Sequence, residues 1–216
     1  MRPVLVLRPQ PGADATAAKA TARGLEVIVA PLFRIAKRDW KLPAEPFDAL
    51  LVTSANAARG LDQSLDRTLP VFAVGAATAV ALRDVGFHNL TIGTEGVEQL
   101  VAMAAVARVG VLLHLAGEDR TDFDPGRLRV ETRIVYASEP CAPDPAFSEA
   151  LARGAVALLH SARAASGFRN LAGTGHRIAA ISPAVLDVAG SGWSAAAVAL
   201  RPTDDALLAA AAALCH

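Results

Sequence analysis

The chain is expected to be an α/β protein of two Rossmann-like parallel-sheet domains, joined by paired linkers, with the first domain discontinuous. Three observations predict this. Short apolar runs alternate with helical stretches over nearly all 216 residues, the pattern of parallel sheets covered by helices on both faces. The chain also repeats itself: D-A-L-L-V-T-S-A-N-A-A-R-G-L from Asp48 to Leu61 returns as V-A-L-L-H-S-A-R-A-A-S-G-F from Val156 to Phe168. Ser54 meets Ser161 at an offset of 161 − 54 = 107 residues. At that same offset Ala73-Val74-Gly75-Ala76-Ala77 meets Ala180-Ile181-Ser182-Pro183-Ala184, Val4-Leu5-Val6 meets Val111-Leu112-Leu113, and Leu100 meets Leu207. One offset, close to half the length and held over four blocks, marks two copies of one unit. Finally, a polar or proline-rich stretch follows the second strand of each copy, at Lys37–Pro46 and Pro140–Pro145, and reads as a crossing between bodies.

Residues 1–32 and 140–216 are therefore expected to form one domain and 38–132 an inserted second, with 33–37 and 133–139 as the linkers. Two such bodies are expected to face each other across a cleft lined by the carboxyl ends of their strands, where open α/β sheets bind ligands.

The elements follow in order. Pro3–Leu7 is an apolar strand stopped at Pro9. Ala13–Arg23 reads as a helix closed by Gly24, and Leu25–Ala30 as a second strand. Leu32–Ile35 stays extended. Strands are expected at Ala49–Thr53, Val71–Val74, Leu90–Ile92 and Val109–Leu115, with helices at Ala55–Leu65, Ala76–Val85 and Val97–Val106. Val130–Ala137 is an extended piece ahead of the return crossing. Alternation resumes with strands at Ala155–His160, Ile178–Ile181 and Ala197–Leu200, and an alanine-rich helix from Asp204 closes the chain.

Composition excludes several function classes. Apolar residues at 53% against 19% charged give ample material for packed cores and argue against disorder. Lys+Arg and Asp+Glu balance at 21 each, so no nucleic-acid partner is expected. No apolar run reaches the roughly 18 residues of a membrane span, and no membrane association is expected. Met1-Arg2-Pro3 leads straight into a strand without a signal-peptide pattern. Cys141 and Cys215 have no CxxC spacing, so a reduced, cytoplasmic protein is expected.

Familiar catalytic signatures are missing as well. No GxGxxG follows a strand, since Gly190-Ser191-Gly192 comes after a helix, and no Walker A, HExxH or GxSxG sequence occurs. The five histidines stand singly, so no metal site is expected. A methyltransferase-like nucleotide enzyme lacks its glycine-rich first turn. What remains is a set of strand-to-helix turns with small polar residues: Thr53-Ser54, Gly75 with Thr78, Ala116-Gly117, Ser161 and Ser182-Pro183. Each offers free amides and a helix dipole suited to carboxylates or phosphates; each serine is equally readable as a plain N-cap. Tyr136, the only tyrosine, can donate a proton to a leaving group, anchor a ligand, or simply pack in a strand. Arg8 is a carboxylate partner or a surface residue at a strand end. Arg120, among the charges of Glu118 and Asp119, reads as solvated, and His114 and His160 as satisfied core histidines.

Taken together, V-L-V-L-R-P, then Gly24, Pro31 and Ile35, then L-L-V-T-S-A-N-A, V-F-A-V-G-A-A-T-A, L-H-L-A-G, I-V-Y, H-S-A-R-A-A and A-I-S-P-A-V resemble the uroporphyrinogen-III synthase family, in order and over nearly the whole chain. The resemblance implies a cytoplasmic, cofactor- and metal-free lyase of tetrapyrrole biosynthesis. Such an enzyme cyclises hydroxymethylbilane to uroporphyrinogen III, inverting the last ring and releasing water. It further implies two α/β domains on a two-stranded linker. The family's tyrosine, thought to assist loss of the hydroxyl, falls on Tyr136; the threonine of V-G-x-x-T falls on Thr78; its cleft serines fall on Ser54, Ser161 and Ser182. Many relatives carry a threonine just after the last of these motifs, where Ala184 and Val185 follow Pro183 here. A monomer is expected, in transient contact with the preceding bilane-forming enzyme. The rival expectation is a non-catalytic two-lobed binding protein for an anionic small molecule.

Overall fold

The computed structural model describes residues 1–61 and 64–216. The chain divides into two units: Met1–Arg34 with Glu139–His216 form unit 1, and Ile35–Ser138 form unit 2. Elements are numbered along the whole chain.

In unit 1, β1 (Val4–Val6), β2 (Val27–Val29), β9 (Val156–Leu159), β10 (Arg177–Ala180) and β11 (Ala195–Val198) make one sheet in the order β11-β10-β9-β1-β2. All four neighbouring pairs are parallel. The central strands are apolar at every residue because helices cover both faces: Val4, Leu5 and Val6 are all fully buried. One face packs on α5 (Pro145–Ala152), α6 (Ala162–Ala172) and α7 (Pro183–Ala189), with Phe147 and Phe168 among the core residues. The other packs on α1 (Gly12–Thr21) and α8 (Asp204–Ala212). Helix α1 ends at Thr21, two residues before the expected Arg23, and Gly24 closes the turn that follows. Gly24 adopts φ +74°, and the amides of Gly24 and Leu25 reach back to the carbonyls of Thr21 (2.9 Å) and Ala20 (3.1 Å).

In unit 2, β4 (Ala49–Val52), β5 (Val71–Val74), β6 (Leu90–Gly93), β7 (Val111–Gly117) and β8 (Arg129–Pro140) pair in parallel. With β3 (Phe33–Lys37) at the edge, the order is β3-β8-β7-β4-β5-β6. Amide-to-carbonyl bonds from Arg38 to Val135 and from Cys141 to Leu32, both 3.0 Å, set β3 antiparallel to β8. These two strands carry the chain across the unit boundaries. One face of the sheet packs on α2 (Ala55–Arg59) and α3 (Gly75–Asp84). The other packs on α4 (Val97–Val106) together with Phe123 and Leu128. The repeat is visible in topology: at the offset of 107 residues β4 falls on β9, β1 on β7 and β2 on β8. The strand order of one sheet is thus reproduced in the other.

Several expectations are corrected. Pro145, expected to close the return crossing, instead opens α5: the Asp144 side chain caps it by accepting from the Ala146 amide at 2.8 Å, and Pro145 takes the first turn. Strand β8 runs twelve residues, through Pro140, and β11 begins two residues before the expected Ala197. The expected helix Ala55–Leu65 includes residues 62 and 63, which lie outside the described residues; α2 spans Ala55–Arg59 and is capped at Gly60. Parallel neighbours β7 and β8 are joined by residues 118–128 with no helix. Among the described residues no helix is long and apolar enough to cross a membrane.

Candidate functional site

The carboxyl ends of β4, β5, β7 and β8 in unit 2 surround a hollow of about 280 Å³. Its wall includes Thr53 and Ser54 from the end of β4, His114 and Gly117 from β7, Tyr136 from β8, and Arg120 and Phe123 from the 118–128 loop. A smaller hollow of about 150 Å³ lies against the same loop and shares His114, Arg120, Thr121 and Phe123 with the first.

Each side chain is placed by local rules. Ser54 is the N-cap of α2 in extended conformation, and its hydroxyl oxygen accepts from the Asn56 amide at 3.1 Å. That leaves the hydroxyl hydrogen for a partner in the hollow. Gly117 pairs with Tyr136 at a register shift between β7 and β8. The tyrosine ring lies directly on the glycine backbone. A Cβ at 117 would stand 2.6 Å from Tyr136 Cζ and 2.8 Å from its hydroxyl oxygen, so only glycine admits the ring there. Beneath them His114, 2% exposed, sits between two threonine hydroxyls: Nε2 is 3.2 Å from Thr53 Oγ1 and Nδ1 is 3.4 Å from Thr132 Oγ1. Burial first, and the Arg120 charge second, push the imidazole pKa down to about 4. The ring is therefore neutral at physiological pH.

The hollow brings together four of the residues expected from sequence: Thr53, Ser54, Gly117 and Tyr136. Val74 lines it, while Gly75 opens α3 behind Val74 with φ +78° and Thr78 is buried within that helix at 4% exposure. The other four belong to unit 1. Ser161 and Ser182 cap α6 and α7, accepting from the amides of Ala164 (3.1 Å) and Val185 (3.4 Å), and Pro183 opens α7. Arg8 is held in a cluster around Asp204. Its Nη1 donates to Asp204 Oδ1 at 3.1 Å, His160 Nε2 lies 3.0 Å from the same oxygen, and Thr16 and Lys19 reach Oδ2 at 3.3 and 3.5 Å. The His160 hydrogen bond, followed by the charges of Arg8, His160 and Lys19, outweighs burial and holds the Asp204 carboxyl well below the usual carboxylate range. His114 has a partner for each ring nitrogen, as expected of a satisfied core histidine, whereas His160 faces the Asp204 cluster through Nε2 and its Nδ1 has no partner among the described residues.

Arg120 is exposed, in line with the expected solvated residue, but its place at the hollow has no counterpart in the expectations. It stands at the rim of both hollows rather than among its charged neighbours alone. A signal existed: residues 119–128 are the repeat counterpart of α1, yet contain Pro125 and Gly126 and so cannot continue a helix. Among the described residues no group of three or more His, Cys, Asp or Glu is arranged to hold a metal.

The family model described as Uroporphyrinogen-III synthase HemD matches residues 14–209. The chain belongs to the uroporphyrinogen-III synthase family. It is a cyclising lyase that closes hydroxymethylbilane to uroporphyrinogen III, with inversion of ring D and loss of water. Among solved structures it is similar to the uroporphyrinogen-III synthetase of Helicobacter pylori, with TM-score 0.67 and 19% identity, over 99% of this chain and 100% of that one. It is also similar to a mutant uroporphyrinogen III synthase of the extremely thermophilic bacterium Thermus thermophilus, with TM-score 0.51 and 17% identity, over 98% of each chain. At these identities the likeness is one of fold. A comparison with curated proteins finds no match. Nothing favours the rival binding protein.

Proposed function

We propose that the unit 2 hollow is where the reaction occurs: it takes the hydroxymethyl-bearing end of the bilane, and Tyr136 protonates the departing hydroxyl. The observation that carries this reading is the meeting of Thr53, Ser54, Gly117 and Tyr136 in one hollow. About 280 Å³ suits one substituted pyrrole ring rather than four, since pockets for drug-sized ligands run roughly 300–1,000 Å³. The hydroxyls of Thr53 and Ser54 and the guanidinium of Arg120 are partners for that ring's carboxylates. When the carbon–oxygen bond breaks, the electron pair leaves with oxygen, which takes the phenol proton and departs as water. The azafulvene cation left behind cyclises through a spiro intermediate. That path depends on a held conformation more than on a strong acid–base pair, in keeping with the lack of a catalytic triad motif.

Ser161 and Ser182, with hydroxyl hydrogens left over after capping, and the turn at Pro183 are read as contacts for further carboxylates. Arg8 serves chiefly to close its own cluster with Asp204. The chain is read as a monomer, and as cytoplasmic since both cysteines are free thiols and a reducing compartment keeps them so. It meets the preceding bilane-forming enzyme transiently, because its substrate closes unaided to the wrong isomer. The test is Tyr136→Phe: turnover falls at least roughly tenfold while the circular dichroism spectrum is retained. Unchanged turnover removes the proton-donor role.

A further inference from the structure

We infer that His114 is a positioning residue for the cyclisation, fixing the Thr53 hydroxyl where the floor of the unit 2 hollow meets the substrate. The inference rests on the reading that this hollow holds the hydroxymethyl-bearing ring. His114 lies inside β7, lines both hollows, and packs edge-on against Phe123 of the loop, with ring centroids 5.3 Å apart at 71°. Its nitrogens face Thr53 Oγ1 and Thr132 Oγ1 at 3.2 and 3.4 Å.

A neutral imidazole has one N–H and one lone pair, so it donates to one threonine and accepts from the other. With its low pKa and both nitrogens engaged, the ring can neither hold a carboxylate by charge nor take a proton from the bilane. Its influence passes through the hydroxyls. Thr53 Oγ1 has a donor and two acceptor sites. One is taken by His114, which fixes the direction of the others, and Thr53 is in the wall of the hollow. Thr132, the β8 residue in register with His114, anchors the far side of the ring. The other half of the repeat supports a role tied to the hollow. At the offset of 107 residues the counterparts of Thr53 and His114 are His160 and Leu7, and no threonine–histidine pair forms there. In the other copy the position of His114 is held by Leu7, fully buried just beyond β1, so packing there needs no histidine.

The experiment is a double-mutant cycle on the full chain, with His114→Leu, Thr53→Val and their combination. The readouts are kcat and KM for fresh hydroxymethylbilane, the isomer III to isomer I ratio, and thermal melting. Each single variant is expected to lower kcat roughly tenfold and to leak isomer I, and the double variant to be no worse than the poorer single. His114→Gln, whose amide keeps one donor and one acceptor, recovers part of the loss. If His114→Leu does not fold, the same cycle is run with His114→Gln. Losses that multiply, or a His114 variant that melts lower while keeping kcat and the isomer ratio, overturn the inference. Failure of the parent reading is separate: it appears as full isomer III formation in Gly117→Ala, whose added methyl meets the Tyr136 ring in the hollow.

Discussion

Helix α1 of unit 1 and residues 119–128 of unit 2 occupy equivalent places in the repeat, yet one is a helix and the other a loop. In α1 the residues turned to the core are Ala13, Thr16 and Ala20, each fully buried. Their counterparts at the offset of 107 are Arg120, Phe123 and Arg127, with Pro125 in place of Ala18. Two guanidinium groups cannot be buried against a sheet without partners, and proline breaks a helix interior. The segment is therefore a loop, of which Phe123 and Leu128 contribute to the core. The neighbouring positions follow suit. Asp204 and His160, which draw in Arg8 and Lys19 in unit 1, have Val97 and Thr53 as counterparts, and both line the hollow. One copy of the repeat is closed by a helix and an ion cluster; the other keeps a hollow in the corresponding place. The lesson is that one repeated scaffold serves both units, and a few residues unfit for burial keep the hollow open.

The comparison can be broken by exchanging its parts. Ala13→Arg puts a charge where unit 1 has no room for one and is expected to cost about 3–5 kcal/mol, read as a drop in urea midpoint. The opposite change, Arg120→Ala, is expected to move stability by less than about 0.5 kcal/mol while raising KM for the bilane. Equal stability effects in the two would mean that the units are closed alike.

Acid sharpens the same contrast. The folded His114 has its pKa pushed down to about 4 from an ordinary 6.5, so below pH 6.5 the unfolded chain binds more protons than the folded one. Its contribution is fully present above about pH 6.5 and lost as pH falls toward 4, up to about 3 kcal/mol. Urea titrations at pH 7 and pH 5 should show this loss, and His114→Gln should flatten it. Asp204 in unit 1, also depressed, loses its contribution only as pH falls through the carboxylate range. Asp204→Asn weakens the acceptor of the Arg8, Lys19, Thr16 and His160 cluster and is expected to cost about 1–2 kcal/mol at pH 7. A neutral effect would show that the cluster does not hold unit 1 closed.

Much of this is legible in sequence, for physical reasons that also set the limit. Doubly covered parallel strands are apolar at every position, so β1, β4, β5 and β9 stand out, and the offset between matched strands carries the architecture. Thr53, Ser54 and Gly117 are visible because turns at strand ends have few residue types to choose from, and Tyr136 because it is the only tyrosine. Helix α5 is hidden because Pro145 reads as a linker residue, although Asp144-Pro145 is a cap followed by a favoured first residue. Arg120 and Phe123 escape a reading that compares only the matching blocks of the repeat. The mismatched block, where helix gives way to loop, holds the information. That His114 reaches both Thr53 and Thr132 depends on strand neighbours 61 and 18 residues away, which no local pattern encodes.

The most direct measurement is isomer-resolved turnover of fresh hydroxymethylbilane by two matched variants, Gly117→Ala and Gly12→Ala. Both add a methyl group 2.6 Å from a side chain. In unit 2 that neighbour is the rigid ring of Tyr136; in unit 1 it is the flexible end of Arg8. Gly117→Ala is expected to lose isomer III formation by at least roughly tenfold, leaving the bilane to close to isomer I, while Gly12→Ala keeps more than about half its rate. Equal losses, or a greater loss in Gly12→Ala, would contradict the placement of the reaction in the open copy of the repeat.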